Sequence, residues 1–121
     1  MGGGVRNITR SLESIQKHWH PHLLAGVNDY DVKLVKVKGE FVWHTHPDTD
    51  ELFLVISGEL TIQLRDGDVV LGPNDVYVVP RGVEHCPRAD DEVSVMLIEP
   101  RGTVNTGDAG GPLTADVREF G

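Results

Sequence analysis

Residues 39–58 read Gly39-Glu-Phe-Val-Trp-His44-Thr-His46-Pro-Asp-Thr-Asp-Glu51-Leu-Phe-Leu-Val-Ile-Ser-Gly58. Side chains two apart on a strand share a face. A strand over 41–46 therefore sets His44 and His46 on one face with Val42, and Phe41, Trp43 and Thr45 on the other. Pro47 to Asp50 makes a loop. Glu51 to Ile56 reads as the next strand, so apolar that both of its faces are expected to be covered. Glu51, at its start, is brought back beside the histidine pair.

The same grammar continues on both sides. Asp31 to Lys38 alternates charge with Val and Leu, and Gly39-Glu40 turns it. Downstream, Leu60, Ile62 and Leu64 alternate with polar residues. Asp66-Gly67 is a hairpin signal. Val69–Leu71 returns, Gly72 to Asp75 turns again, and Val76–Val79 runs to Pro80. Strands are expected at 83–88 and 93–99. Short strands at this turn spacing predict an antiparallel sandwich or barrel. The one helix expected is near the N-terminus, capped by Thr9 or Ser11, with Leu12, Ile15 and Trp19 as its stripe and Pro21 as its stop. The chain thus divides into an arm with a short helix (1–29), a barrel (30–99) and a Gly- and Pro-rich tail (100–121).

Composition limits the partners. The 121 residues carry 11 Lys+Arg against 19 Asp+Glu, a net charge of −8. No nucleic acid or anionic membrane surface is expected as a partner, since both need a basic face. The longest apolar run, 52–56, is far short of a membrane span. The single Cys86 cannot form an internal disulfide, and residues 1–6 show no apolar signal segment. The expectation is a cytoplasmic protein.

His44, His46, Glu51 and His85 are the residues that carry chemistry. His85 follows the turn Pro80-Arg81-Gly82 and approaches the His pair from the far side. Three neutral imidazoles and a carboxylate suit one divalent first-row metal: Mn, Fe, Co, Ni, Cu or Zn. Phe53 and Val55 share the parity of Glu51, and Val42 that of the histidines, which makes these three the candidates for the wall of a substrate pocket.

The stretch 39–58 closely resembles the first motif of the cupin superfamily: Gly, His-x-His, three or four residues, Glu, six residues, Gly. Asn74 to His85 resembles the second, in which Pro80-x-Gly82-x2-His85 matches. Asn74 stands where the motif has Gly, but Asn tolerates a left-handed turn. Ala89 stands where Asn is frequent, at a position that is not a ligand. The first Gly lies one residue nearer His44 than usual. The resemblance spans about residues 30–99. It implies an all-β, jelly-roll barrel of antiparallel strands with the metal inside, held by His44, His46, Glu51 and His85.

Relatives of this kind include dioxygenases, decarboxylases, sugar-phosphate isomerases and epimerases, and non-enzymatic binding domains. The reading preferred here is a small metal-dependent enzyme of oxygenase type, acting on a small organic molecule. The rivals are an isomerase resembling the mannose-6-phosphate isomerase cupin part, and a metal-retaining binding module. Such cupins usually pair, so a homodimer is expected, with Leu52, Leu54 and Ile56 on an outer face that a partner covers.

Weaker features have plainer readings. His18, His20 and His22 read as a polar helix end rather than a second metal site. Cys86 reads as a small buried hydrophobe rather than one half of a crosslink to Tyr77. Arg65, Arg81 and Arg88 give no clear phosphate clamp.

Overall fold

The computed structural model describes residues 4–120. Its elements run α1 (Ile8–Glu13), β1 (His22–Val27), β2 (Tyr30–Glu40), β3 (Glu51–Ser57), β4 (Leu60–Leu64), β5 (Val69–Leu71), β6 (Val76–Val79), β7 (His85–Pro100) and β8 (Arg118–Glu119). The strands follow one hydrogen-bonded path, β5-β4-β7-β2-β1-β8, with β3 joined to β7 and β6 to β3.

The spine is β7. Along one edge it pairs with β2 from Arg88 to Pro100. Along the other it pairs first with β4, from His85 to Arg88, and then with β3, from Ser94 to Ile98. The polar run Asp90–Glu92 between these stretches is exposed. Changing neighbours within one strand folds the sheet over itself. The result is an all-β jelly-roll, folded over rather than closed by an unbroken ring of ladder bonds. The two predicted strands over 83–88 and 93–99 are therefore one.

The core follows from period two. Val35 and Val37 of β2, Phe53 and Val55 of β3, Leu60 and Ile62 of β4, and Val93, Val95 and Leu97 of β7 all point inward and are buried. β3 is not covered on both faces as its composition suggested. Glu51, Phe53 and Val55 are buried, while Leu52, Leu54 and Ile56 on the outer face are half-buried. The outer face is only partly roofed: Ile15, Leu24 and Leu34 form a second cluster there, flanked by Leu12, Ile56, Met96 and Phe120.

β1 pairs antiparallel with β2, and β8, from the tail, pairs in parallel with β1, so arm and tail both extend the sheet. The helix is shorter than its stripe. Asn7 caps it by accepting from Arg10 N–H at 2.9 Å, and the helix ends at Glu13. Trp19 cannot continue it, because its N–H donates to Lys36 O on β2 and its φ is +68°.

Two turns show why residue type matters. Asn74 adopts φ +71°, the left-handed turn expected of it. Gly58, between β3 and β4, has φ +88°, and a Cβ there would lie 2.9 Å from Glu92 O. Gly58→Ala is expected to cost about 1–3 kcal/mol. Gly72→Ala, whose Cβ would meet only Asp75 Oδ2 at 3.7 Å, should change little. Thermal unfolding of the two variants checks this; equal midpoints would contradict it.

Candidate metal centre

The segment 41–46, expected as a strand, is held instead by a few bonds to β7. His44 and His85 exchange both backbone hydrogen bonds, N–H to carbonyl, at 3.0 Å each way, an isolated antiparallel bridge. Phe41 N–H donates to Pro87 O at 2.9 Å. Pro87 has no N–H to return, so the ladder stops. The bridge is nevertheless enough to set two imidazoles side by side, with ring centroids 4.2 Å apart. His46 ends the segment, its carbonyl accepting from Gly82 N–H at 3.0 Å.

All four expected ligands are buried and converge. One donor atom from each of His44, His46, Glu51 and His85 lies within 4.8 Å of every other, so the group can hold a metal ion. The second ring nitrogens are tied down. His44 Nδ1–H donates to Val42 O and His85 Nδ1–H to Val83 O, each at 2.9 Å. That fixes the neutral tautomer and leaves the Nε2 lone pair free for an ion. His46 Nε2 is buried with no hydrogen-bond partner. It lies 3.5 Å from Glu51 Oε1, which His85 Nε2 also approaches at 3.3 Å. A buried polar atom left unpaired while aimed at the cluster centre is what a cation ligand leaves when the cation is not counted. The donor set and its orientation fit a divalent first-row ion.

The electrostatics agree. Burial, reinforced by His85, pulls the His44 pKa from 6.5 down to about 4, which keeps the ring neutral. For Glu51, burial opposes ionisation, but the close approach of His46 and then His85 outweighs it and holds the carboxyl well below its ordinary range. Burial, and then the nearby charge of Glu51, push Glu99 in the opposite direction, well above 4.5.

Beside the ligands lies a cavity of about 40 Å³. His44, Glu51 and Asn105 are the polar residues on its wall; Trp19, Phe41, Phe53, Leu60, Val95 and Leu97 supply most of the rest. Of the pocket candidates, Phe53 lines this cavity, Val55 lies fully buried in the core, and Val42 supplies the carbonyl that fixes His44. Trp19 stacks on Phe41 at 4.6 Å between centroids, and Phe41 meets the His44 ring edge-on at 5.4 Å.

Residues 32–109 match the family model for the cupin domain. The chain belongs to the cupin family. A relative of this cupin, the uncharacterised protein YdbB of Bacillus subtilis (strain 168), is 45% identical over 86 residues, covering 70% of this chain and 76% of its own. A crystallised cupin-2 domain protein from Shewanella frigidimarina is 49% identical and superposes with a TM-score of 0.79, over 80% of this chain and 95% of that one. At the level of fold alone, hydroquinone 1,2-dioxygenase from Sphingomonas sp. TTNP3 superposes with a TM-score of 0.65 at 14% identity, over 78% of this cupin and 72% of the dioxygenase.

Some contributors were not read from the sequence. The tail clamps the ligand segment: Asp108 accepts from Thr45 N–H at 2.8 Å and its own N–H donates to Thr45 O at 3.1 Å. Gly107 packs so closely that a Cβ would collide with Thr45 O. No motif marks that contact. Lys33 and Glu99 are buried inside the barrel. The signal for Lys33 is the break in alternation at Leu34-Val35, which puts the odd positions of β2 inward, and for Glu99 it is the parity shared with Val93, Val95 and Leu97 on β7.

The histidine-rich arm stays apart from the ligand group. His18 pairs with Glu92 at 2.8 Å, and His22 Nδ1–H donates to His20 O. It is not a helix end, however, because α1 has stopped at Glu13. Cys86 is buried, and burial raises its thiol to about 11. Arg65 lies over the Trp43 ring at 3.7 Å and pairs with Glu84, Arg81 pairs with Asp50, and Arg88 with Asp90.

Two outcomes follow from this geometry. His46→Ala removes one of four donors and should weaken metal binding by at least about 10- to 100-fold, while His20→Ala leaves metal content unchanged. Elemental analysis after incubation with Zn or Mn salts checks both, with circular dichroism showing that the barrel persists. The second outcome concerns pH. The folded pKa of His44 lies below its ordinary 6.5, so the unfolded chain binds a proton that the folded chain refuses. Stability of the metal-free protein should therefore fall as pH drops from 6.5 towards 4, with a slope from this group of at most about 1.4 kcal/mol per pH unit. Above pH 4.5 Glu51 contributes no such loss, since its depressed pKa acts only at lower pH. Thermal midpoints measured across that range should fall less in His44→Gln than in wild type.

Proposed function

We propose that this cupin is a metal-dependent enzyme of oxygenase type, acting on a small, largely apolar organic molecule with paired oxygens, such as an enol, a diketone or a catechol-like ring. The observation that carries the reading is a four-residue ligand group opening onto an apolar, aromatic-walled cavity. His44, His46, Glu51 and His85 would hold the ion. A divalent first-row metal bound there supplies Lewis acidity and, for a redox-active ion such as Fe(II), reactivity toward O₂. The chain's own residues do the rest: the Nδ1 bonds hold the rings in place, and Trp19, Phe41 and Phe53 exclude water and flank a planar ligand. A cavity of about 40 Å³ takes only a few waters. Admitting an organic molecule therefore requires its walls to give. Trp19 and Pro21 from the arm, Phe41 and His44 from the segment 41–46, and Asn105 from the tail are the walls outside the strands.

The fold shared with a hydroquinone dioxygenase is consistent with this reading, since one scaffold hosts many chemistries. A sugar-phosphate isomerase is less well supported. Among the described residues no Lys or Arg lines the cavity, and a phosphate needs such a partner. The decisive experiment is O₂ uptake by protein reconstituted with Fe(II), offered catechols, hydroquinones and β-diketones. Uptake with at least one class is expected. Full metal loading with no uptake from any of them, or turnover of a sugar phosphate, would overturn the proposal.

We also propose that the protein forms a homodimer through the outer face of β3 and β6. The register Val78–Leu52–Ile98–Val32 lays an apolar row across four strands. Val76 and Val78 at its edge are 53% and 43% exposed. Replacing both valines with Lys should turn a dimer into a monomer in analytical ultracentrifugation; a wild-type monomer, or an unchanged dimer, contradicts the assignment.

A further inference from the structure

Three strands meet side by side at the ligand end of the barrel. The β2–β7 register sets Lys33 opposite Leu97 and Asp31 opposite Glu99, so Lys33 lies diagonal to Glu99 on the inner face. The β3–β7 register runs Phe53 with Leu97 and Leu52 with Ile98, which carries Glu51 opposite Glu99. Lys33, Glu99 and Glu51 thus form an inward row across β2, β7 and β3. Lys33 is 0% exposed and Glu99 1%. Lys33 Nζ donates to Glu99 Oε2 at 2.7 Å. Glu99 Oε1 is buried without a partner, beside the Glu51 carboxyl.

We infer that Lys33 and Glu99 form a positioning unit that sets the Glu51 carboxylate for the ion. A buried ion pair adds little stability over apolar residues of the same size. This one also leaves an oxygen unsatisfied, which a pair serving the fold alone would not. Its place in the row gives it another role. Glu99 stands against Glu51, whose Oε1 is the oxygen turned toward His46 and His85. Lys33 anchors Glu99 from behind and offsets part of the negative charge gathered there. Neither residue is a ligand; both act through Glu51. The inference rests on the metal reading above.

The test compares wild type with Lys33→Met/Glu99→Met, which removes both charges at similar volume. Cobalt(II) titration followed by visible absorption gives affinity and ligand geometry, and thermal unfolding gives stability. The double variant is expected to unfold no earlier than wild type, yet to bind cobalt about 10- to 100-fold more weakly, with displaced d–d bands. A folded double variant with wild-type affinity and spectrum overturns the inference. If the double variant does not fold, Glu99→Gln decides. It keeps a partner for Lys33 but puts an amide against Glu51, and displaced cobalt bands support the inference while a wild-type spectrum overturns it. Wild type that takes up no cobalt overturns the metal reading itself, a result distinct from both.

Discussion

Everything in the ligand group depends on the two backbone hydrogen bonds exchanged by His44 and His85. The segment 41–46 is not a regular strand, and Pro87 prevents it from becoming one. A reciprocal pair of amide bonds still fixes the two Cα atoms opposite each other, and both imidazoles then project into the same space. Because β7 is also the partner of β2, β3 and β4, the bridge ties the ligand segment to the most heavily paired strand in the molecule. Glu51 arrives through β3 and His46 through the end of the bridged segment, so a single strand references all four side chains.

The interior holds more charge than a barrel of this size easily accommodates. Ionised groups lose hydration on burial, and that loss is recovered only where partners stand close. Here the recovery is arranged as a line: Lys33, Glu99, Glu51 and then the imidazoles. The apolar residues occupy the remaining inner positions, Val35, Val55, Leu60 and Val95 among them. Polar and apolar halves of the interior are thus separated along the strands, and the cavity lies where they meet.

Much of this was legible in the sequence, for reasons that differ by feature. The alternating strands from Tyr30 onward, the Asp66-Gly67 hairpin and the left-handed Asn74 are local, so local pattern sufficed. The four ligands were legible because residue type and spacing are both constrained by coordination. β1 was missed because His22 to Val27 sits beside Pro21 and lacks clean alternation, and its strand character comes from pairing with β2. The helix was overextended because Leu12, Ile15 and Trp19 fit a stripe, whereas the Trp19 backbone is claimed by Lys36. Lys33 and Glu99 were read past because a charge in an alternating strand ordinarily faces water. The grip of Asp108 on Thr45 depends on tertiary approach alone.

That grip has a consequence for how the protein matures. A chain is made from its N-terminus, so His44, His46 and Glu51 leave the ribosome well before His85, and all four precede Asp108. The strand that orders the first three contains the fourth, and the clamp over Thr45 closes only after the tail has emerged. Assembly of the candidate metal centre is therefore a late event in biogenesis. A released chain ending between residues 100 and 108 would hold all four candidate ligands and the whole of β7, yet lack the Asp108 clamp on the segment that carries two of them.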